Sequence, residues 1–155
     1  MTLQPPRNND GYFNSGASSH MASDAGILST SSQSPVHSSI VVGNVSLLPV
    51  TSTGSASLPR NFHLNNVLVA PKLIKNLISV RHFITDNNCS IEFDPTGCSV
   101  KALPSRNMIV RCNSSRPLYP LCLPTATSFV ATVSQTLWHR RLEHPGHEAL
   151  SKLGP

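Results

Sequence analysis

Bulky side chains are scarce in this chain of 155 residues: aromatics account for only 5%, which leaves few large anchors for a core. Charge is equally thin. Asp, Glu, Lys and Arg together make up 12%, about half the usual share. That excludes a highly charged disordered chain and a long surface helix laced with ion pairs. No run approaches the roughly 18 apolar residues that a membrane-spanning helix needs, so a membrane is not an expected partner. The polar stretch Met1 to Asp10 contains no apolar signal core, and the expectation is an intracellular, non-secreted chain, in the cytoplasm. Cys89, Cys98, Cys112 and Cys122 include no CxxC pair, so a zinc knuckle is not expected. In a reducing compartment they read as thiols packed like small apolar side chains.

What is present is proline, serine, threonine and asparagine. Thirteen prolines scattered from Pro5 to Pro155 interrupt any long helix and leave short strands and loops. The formal charge of +5 is uneven. Arg7 and Arg60 balance Asp10 and Asp24 in the first sixty residues, and the excess lies beyond them. With no basic run longer than Arg140-Arg141, nucleic acid is an unlikely partner of this chain alone.

Along the chain, residues 1–11 read as a disordered leader ending in an Asn-Asp-Gly turn. The Ser-rich stretch from Ser29 to Pro35 is too polar to bury and reads as a long loop. Ile40-Val41-Val42, Gly43-Asn44 and Val45 to Val50 read as strand, turn and strand, and Thr51 to Ser55 as a bend. Leu64 to Val69 and Asn76 to Val80 are further apolar runs, and Val80 to Thr85 suits one or two helical turns. Ser90 to Phe93 alternates polar and apolar as a half-buried strand does. Asp94-Pro95-Thr96-Gly97 is a turn, because proline presets φ and glycine accepts a positive one. Ser99 to Leu103 and Met108 to Val110 complete a set of short strands, the signature of a mainly β sandwich or small barrel.

Phe13-Asn14-Ser15-Gly16-Ala17-Ser18-Ser19-His20-Met21 resembles the active-site signature of retroviral-type aspartic proteases, hydrophobic-Asp-Ser-Gly-Ala-Ser, in the form found in copia-type LTR retrotransposons. Asn66 to Pro71 with Asn76 to Val80 resembles a later strand segment of the same protease domain. Leu118-Tyr119 and Leu137-Trp138-His139-Arg140-Arg141-Leu142-Glu143-His144-Pro145 resemble the GAG-pre-integrase segment that follows it in the Pol polyprotein. The resemblance implies a retropepsin-like small closed β-barrel over residues 12–111, a connector over 112–134 and a short, incomplete helical pre-integrase piece over 135–155. It also implies a homodimer and polyprotein peptides as partners. Ser15 would hydrogen-bond across the active-site base, and Gly16 would permit a tight backbone approach there.

The catalytic position departs from that pattern. Asn14 stands where the family has its Asp. Aspartic proteolysis needs two carboxylates, one acting as base on water and the other as acid toward the carbonyl. A two-fold dimer would bring Asn14 to Asn14, and an amide does not take a proton from water near neutral pH. Asp24 has no Ser-Gly after it and is a poor substitute. Three readings stand: a remnant of a retrotransposon Pol polyprotein with an inactive protease-like domain, a non-cleaving dimerisation or peptide-binding module, and an aspartic endopeptidase active only with an intact partner subunit. His20, in a polar stretch, reads as a surface or loop histidine.

His139 and His144 resemble the histidine half of the integrase His-His-Cys-Cys zinc motif. Structural zinc takes four tetrahedral N or S ligands, and the family's Cys pair would lie beyond Pro155. His147 is a possible third nitrogen, and Glu143 replaces the family's frequent glycine. No cofactor is expected unless that Cys pair is present. The full chain should therefore retain no stoichiometric zinc after dialysis, and added zinc should leave its helical circular dichroism unchanged. One tightly held zinc that His139→Ala abolishes would refute the half-site reading.

Overall fold

The computed structural model describes residues 11–33 and 39–123. In chain order the strands are β1 (Gly11–Asn14), β2 (Met21–Ala22), β3 (Thr30–Gln33), β4 (Ser39–Val41), β5 (Leu47–Pro49) and β6 (Ser52–Leu58). They continue as β7 (Phe62–Val69), β8 (Asn76–Ser79), β9 (Cys89–Asp94), β10 (Gly97–Ala102), β11 (Met108–Asn113) and β12 (Pro120–Leu121). One helix, α1 (Val80–Asp86), follows β8, and single 3-10 turns stand at Ala25–Ile27 and Pro59–Asn61. The protein is mainly β. Its strands form a seven-stranded sheet in the order β12-β1-β8-β2-β7-β6-β3, a three-stranded sheet β11-β10-β9 and the β4-β5 hairpin. Each of these sheets runs from one edge strand to another without closing on itself.

β1 is an interior strand, antiparallel to β12 and parallel to β8, with Asn14 opposite Ser79. Parallel neighbours need a long crossover, and residues between Asn14 and Asn76 supply it. Within the crossover, β6 and β7 pair antiparallel with a register shift between Gly54 and Ala56. Three steps of β7, from Leu64 to Val67, answer two steps of β6. That extra residue is a bulge, and Asn66 occupies it at a φ of 54°, a conformation asparagine tolerates. The bulge preserves the burial pattern: Phe62 and Leu64 are buried before it, Val67 and Val69 after it. Without the extra residue the second pair would turn to the opposite face.

The core takes Phe13, Ala22, Phe62, Leu64, Val67 and Ile78 from the large sheet, and Val100, Val110 and Cys112 from the small one. Phe83 of α1 is 0% exposed and joins them. Its ring centroid is 5.2 Å from Phe13, edge-on, and 5.1 Å from Phe62. A chain with few aromatics thus concentrates three of them at one point. Ser79 starts α1 by accepting the His82 N–H through its side chain at 3.4 Å, as helix-starting serines do. Asn87 ties the other end to β7, accepting the His63 N–H at 2.8 Å and donating to the His63 carbonyl at 2.9 Å.

Three expectations require correction. The Ser-rich stretch is not all loop: β3 pairs with β6 from Thr30↔Ser55 to Gln33↔Ser52. Its side chains are exposed, so backbone hydrogen bonding to an existing edge, not burial, makes it a strand. The bend expected at Thr51 to Ser55 is the body of β6, where Gly54 packs so close that a Cβ would lie 1.9 Å from the Thr30 carbonyl oxygen. The β domain also runs past Arg111. β11 reaches Asn113, and Pro120–Leu121, expected in a connector, form β12 against β1. Leu121 is buried in the shared core, which is why this segment belongs to the sheet.

Truncating the aromatic centre should be costly. Phe83→Ala is expected to lower unfolding free energy by about 3–5 kcal/mol, measured by urea denaturation. A loss no larger than that of an exposed substitution would show that the three rings do not carry the core.

Candidate active site

Asn14 ends β1, and its position follows from the parallel pairing that sets it opposite Ser79. Its side-chain Oδ1 accepts the Gly16 N–H at 2.8 Å, an Asx turn that swings the chain out of the sheet. Asn14 is half-buried, whereas Ser15 and Gly16 are exposed. The loop then returns through Ser18 and Ser19 to β2, which lies between β8 and β7. Asp24 is engaged elsewhere, accepting the Gly26 N–H at 2.8 Å to cap a 3-10 turn.

His20 departs from its sequence expectation: it is 1% exposed, not on the surface. The reason is tertiary. Its backbone carbonyl accepts the Leu68 N–H at 2.9 Å, which locks the start of β2 beside β7. Its ring then faces the β8–α1 junction. Nδ1 accepts the Ser79 N–H at 3.2 Å, so a neutral ring carries its proton on Nε2. Nε2 is buried with no hydrogen-bond partner, and the nearest carboxylate oxygen, of Asp86, is 3.9 Å away. The His82 ring stands edge-on at 5.8 Å. Burial outweighs the Asp86 carboxylate and, helped by His82, pulls the His20 pKa from 6.5 down to about 4.

The structure therefore joins Asn14, Ser79, His20 and Asp86 in one chain of neighbours. Sequence reasoning missed Ser79 and Asp86 as members of this group. The only signal for Ser79 was the run Asn76 to Val80, taken for a strand and not for the floor of a site, and no sequence signal pointed to Asp86. His20 serves as a strut: it fixes the far end of the Ser-Gly-Ala-Ser loop to the residue opposite Asn14. No carboxylate is hydrogen-bonded to Asn14, Ser15 or Gly16 among the described residues. Nor is any group of three or more His, Cys, Asp or Glu side chains among them placed to hold a metal ion. His139 and His144, with the rest of 135–155, lie outside the described residues.

A mainly β chain with this signature at the end of an interior strand matches the family described as Pol polyprotein, beta-barrel domain, over residues 12–89. The chain belongs to that family. It is 34% identical over 163 aligned positions to the retrovirus-related Pol polyprotein from transposon RE2 of Arabidopsis thaliana, across 99% of this chain. It is 32% identical over 160 positions to the corresponding polyprotein from transposon RE1 of the same plant, across 96% of this chain. It spans 11% of the length of each of these relatives. No solved structure matches it.

The buried histidine has a consequence for stability. The folded-state pKa of about 4 lies below the ordinary 6.5. As pH falls, the unfolded chain takes up its proton first, so the His20 contribution is present in full above 6.5. It is lost progressively as pH falls from there towards the folded value. The urea midpoint should fall across that window in the native protein. His20→Asn, which keeps an acceptor for the Ser79 N–H, should flatten this part of the profile. An unchanged profile in the variant would remove His20 as its source.

Proposed function

We propose that this chain is a retropepsin-like domain of a retrotransposon Pol polyprotein that does not cut peptides, followed by the start of a pre-integrase segment. The observation that carries the reading is Asn14 at the position of the catalytic aspartate. Asparagine has nearly the shape of aspartate and still accepts the Gly16 N–H through Oδ1 at 2.8 Å, so the loop frame survives the change. Its chemistry does not survive. The Nδ2 amide can donate, but the group cannot take a proton from the attacking water or give one to the substrate carbonyl. Two copies of the chain would supply two amides and no carboxylate where the reaction needs a shared proton between two acids.

Family membership supports the descent, and the Asx turn at Asn14 supports the intact frame. On this reading the domain is a small closed barrel that pairs with a second copy, and polyprotein peptides are what its cleft would hold. The purified full chain should show no pepstatin-sensitive cleavage of flexible peptides between about pH 4 and 7, the range in which aspartic dyads work. Intact mass recorded beforehand excludes deamidation of Asn14. Asn14→Asp should restore measurable cleavage if the protein is folded and dimeric, since the substitution adds a carboxylate without changing side-chain volume. Cleavage by the unmodified chain would overturn the proposal. Cleavage that arises only on mixing with an Asp-bearing subunit would replace it with the partner-dependent enzyme.

A further inference from the structure

Proteolysis, present or lost, makes no use of cysteine, yet three of the four cysteines converge. Cys98 of β10 and Cys112 of β11 are register partners, 0% and 1% exposed. Cys122, just after β12, is exposed. The Cys112 sulfur accepts the Cys122 backbone N–H at 3.1 Å, while the thiol of its register neighbour Cys98 points to the Pro120 carbonyl at 4.0 Å. When protonated, Cys112 can donate to the Cys122 carbonyl at 3.6 Å. A backbone N–H aimed at the Cys112 sulfur, with the Arg111 guanidinium nearby, is the kind of surrounding that stabilises a thiolate.

The electrostatics agree with the geometry. Donation from the Cys98 thiol, then from the Cys122 backbone and side chain, and the Arg111 charge bring the Cys112 pKa down to about 7 against the opposing effect of burial. The hydrogen bond to Cys112 and its own burial push the Cys98 thiol upward. Of the two, Cys112 is the thiol that ionises more readily, and it is the nucleophile. Neither is open to a reagent from solvent. Cys122 is, and it touches the nucleophile.

We propose that Cys112 and Cys122 form a reversible disulfide by exchange with a low-molecular-weight disulfide, clasping the end of β12 to β11. In the first step the Cys122 thiolate attacks one sulfur of the small disulfide, forming a mixed disulfide and releasing one thiolate. The Cys112 thiolate then attacks the Cys122 sulfur, and the bond to the small thiol breaks and leaves with its electron pair. Two protein thiols are oxidised, and one small disulfide is reduced to two thiols. The closed loop runs from 112 to 122 and contains β12, which pairs with β1 at Gly11↔Leu121 and Tyr12↔Pro120. The Phe13 N–H also donates to the Tyr119 carbonyl at 2.9 Å. The clasp therefore restrains the strand flanking the one that ends in Asn14. It does not depend on the protease reading.

The sequence makes the test clean. Trypsin does not cut the Arg116-Pro117 bond, so Cys112 and Cys122 fall in one peptide ending at Arg140, and Cys89 and Cys98 in another ending at Lys101. The reduced full chain is incubated at neutral pH with oxidised glutathione, alkylated, digested and weighed. The peptide starting at Cys112 should be lighter by two hydrogen atoms and unalkylated, and dithiothreitol should reverse this. The Cys89 and Cys98 peptide should stay fully alkylated. Cys122→Ser, at an exposed position that does not threaten the fold, should abolish the change. A peptide that keeps both thiols, one that stops at a glutathione adduct on Cys122, or a link between the two peptides would each overturn the proposal.

Discussion

Everything described here hangs on the point where Phe83 meets Phe13 and Phe62. Phe83 comes from the only helix among the described residues, Phe13 from β1 and Phe62 from the start of β7. Among the described residues the other ring-to-ring contacts of Phe and Tyr, Phe93 with Phe13 and with Tyr119, extend this cluster and do not form a second one. Phe13 immediately precedes Asn14, so the packing of one ring sets where the signature loop leaves the sheet. Phe83 lies four residues after Ser79, so the same contact also places the floor of the candidate site. Core packing and site geometry are in this sense a single constraint, since the flanking backbone is shared.

A second layer of order is polar. Ser79 receives the helix N–H of His82 through its side chain and gives its own N–H to His20. Buried polar groups need partners, and Nε2 of His20 has none within hydrogen-bonding distance. A neutral ring with one unsatisfied N–H costs less than a buried cation would. This explains why burial wins over the Asp86 carboxylate in setting the charge state of His20.

Several elements were legible in the residues. The β4-β5 hairpin follows from Ile40-Val41-Val42 and the Gly43-Asn44 turn, β9 and β10 from clean alternation around Asp94-Pro95-Thr96-Gly97. α1 falls where a serine precedes a helix-compatible run. That residue 14 is an asparagine ahead of Ser15-Gly16 was equally plain, because a motif reads residue by residue whatever the fold does with it. β3 and β6 were not legible, since both are rich in small polar residues and owe their strand state to a partner strand rather than to a buried face. β12 escaped notice because two residues carry no periodicity.

Local chemistry by itself determined which segments alternate, where turns fall, and that residue 14 is an amide and not an acid. Those properties belong to neighbouring residues and survive in an isolated stretch of chain. Only the tertiary structure decided that His20 is buried and that Ser79 lies opposite Asn14. It alone brought Cys98, Cys112 and Cys122 together and drew the Pro120–Leu121 segment into the main sheet. Each of these rests on strands far apart in sequence being brought into register. Backbone hydrogen bonds and shared burial fix that register, and no single segment carries the information for it.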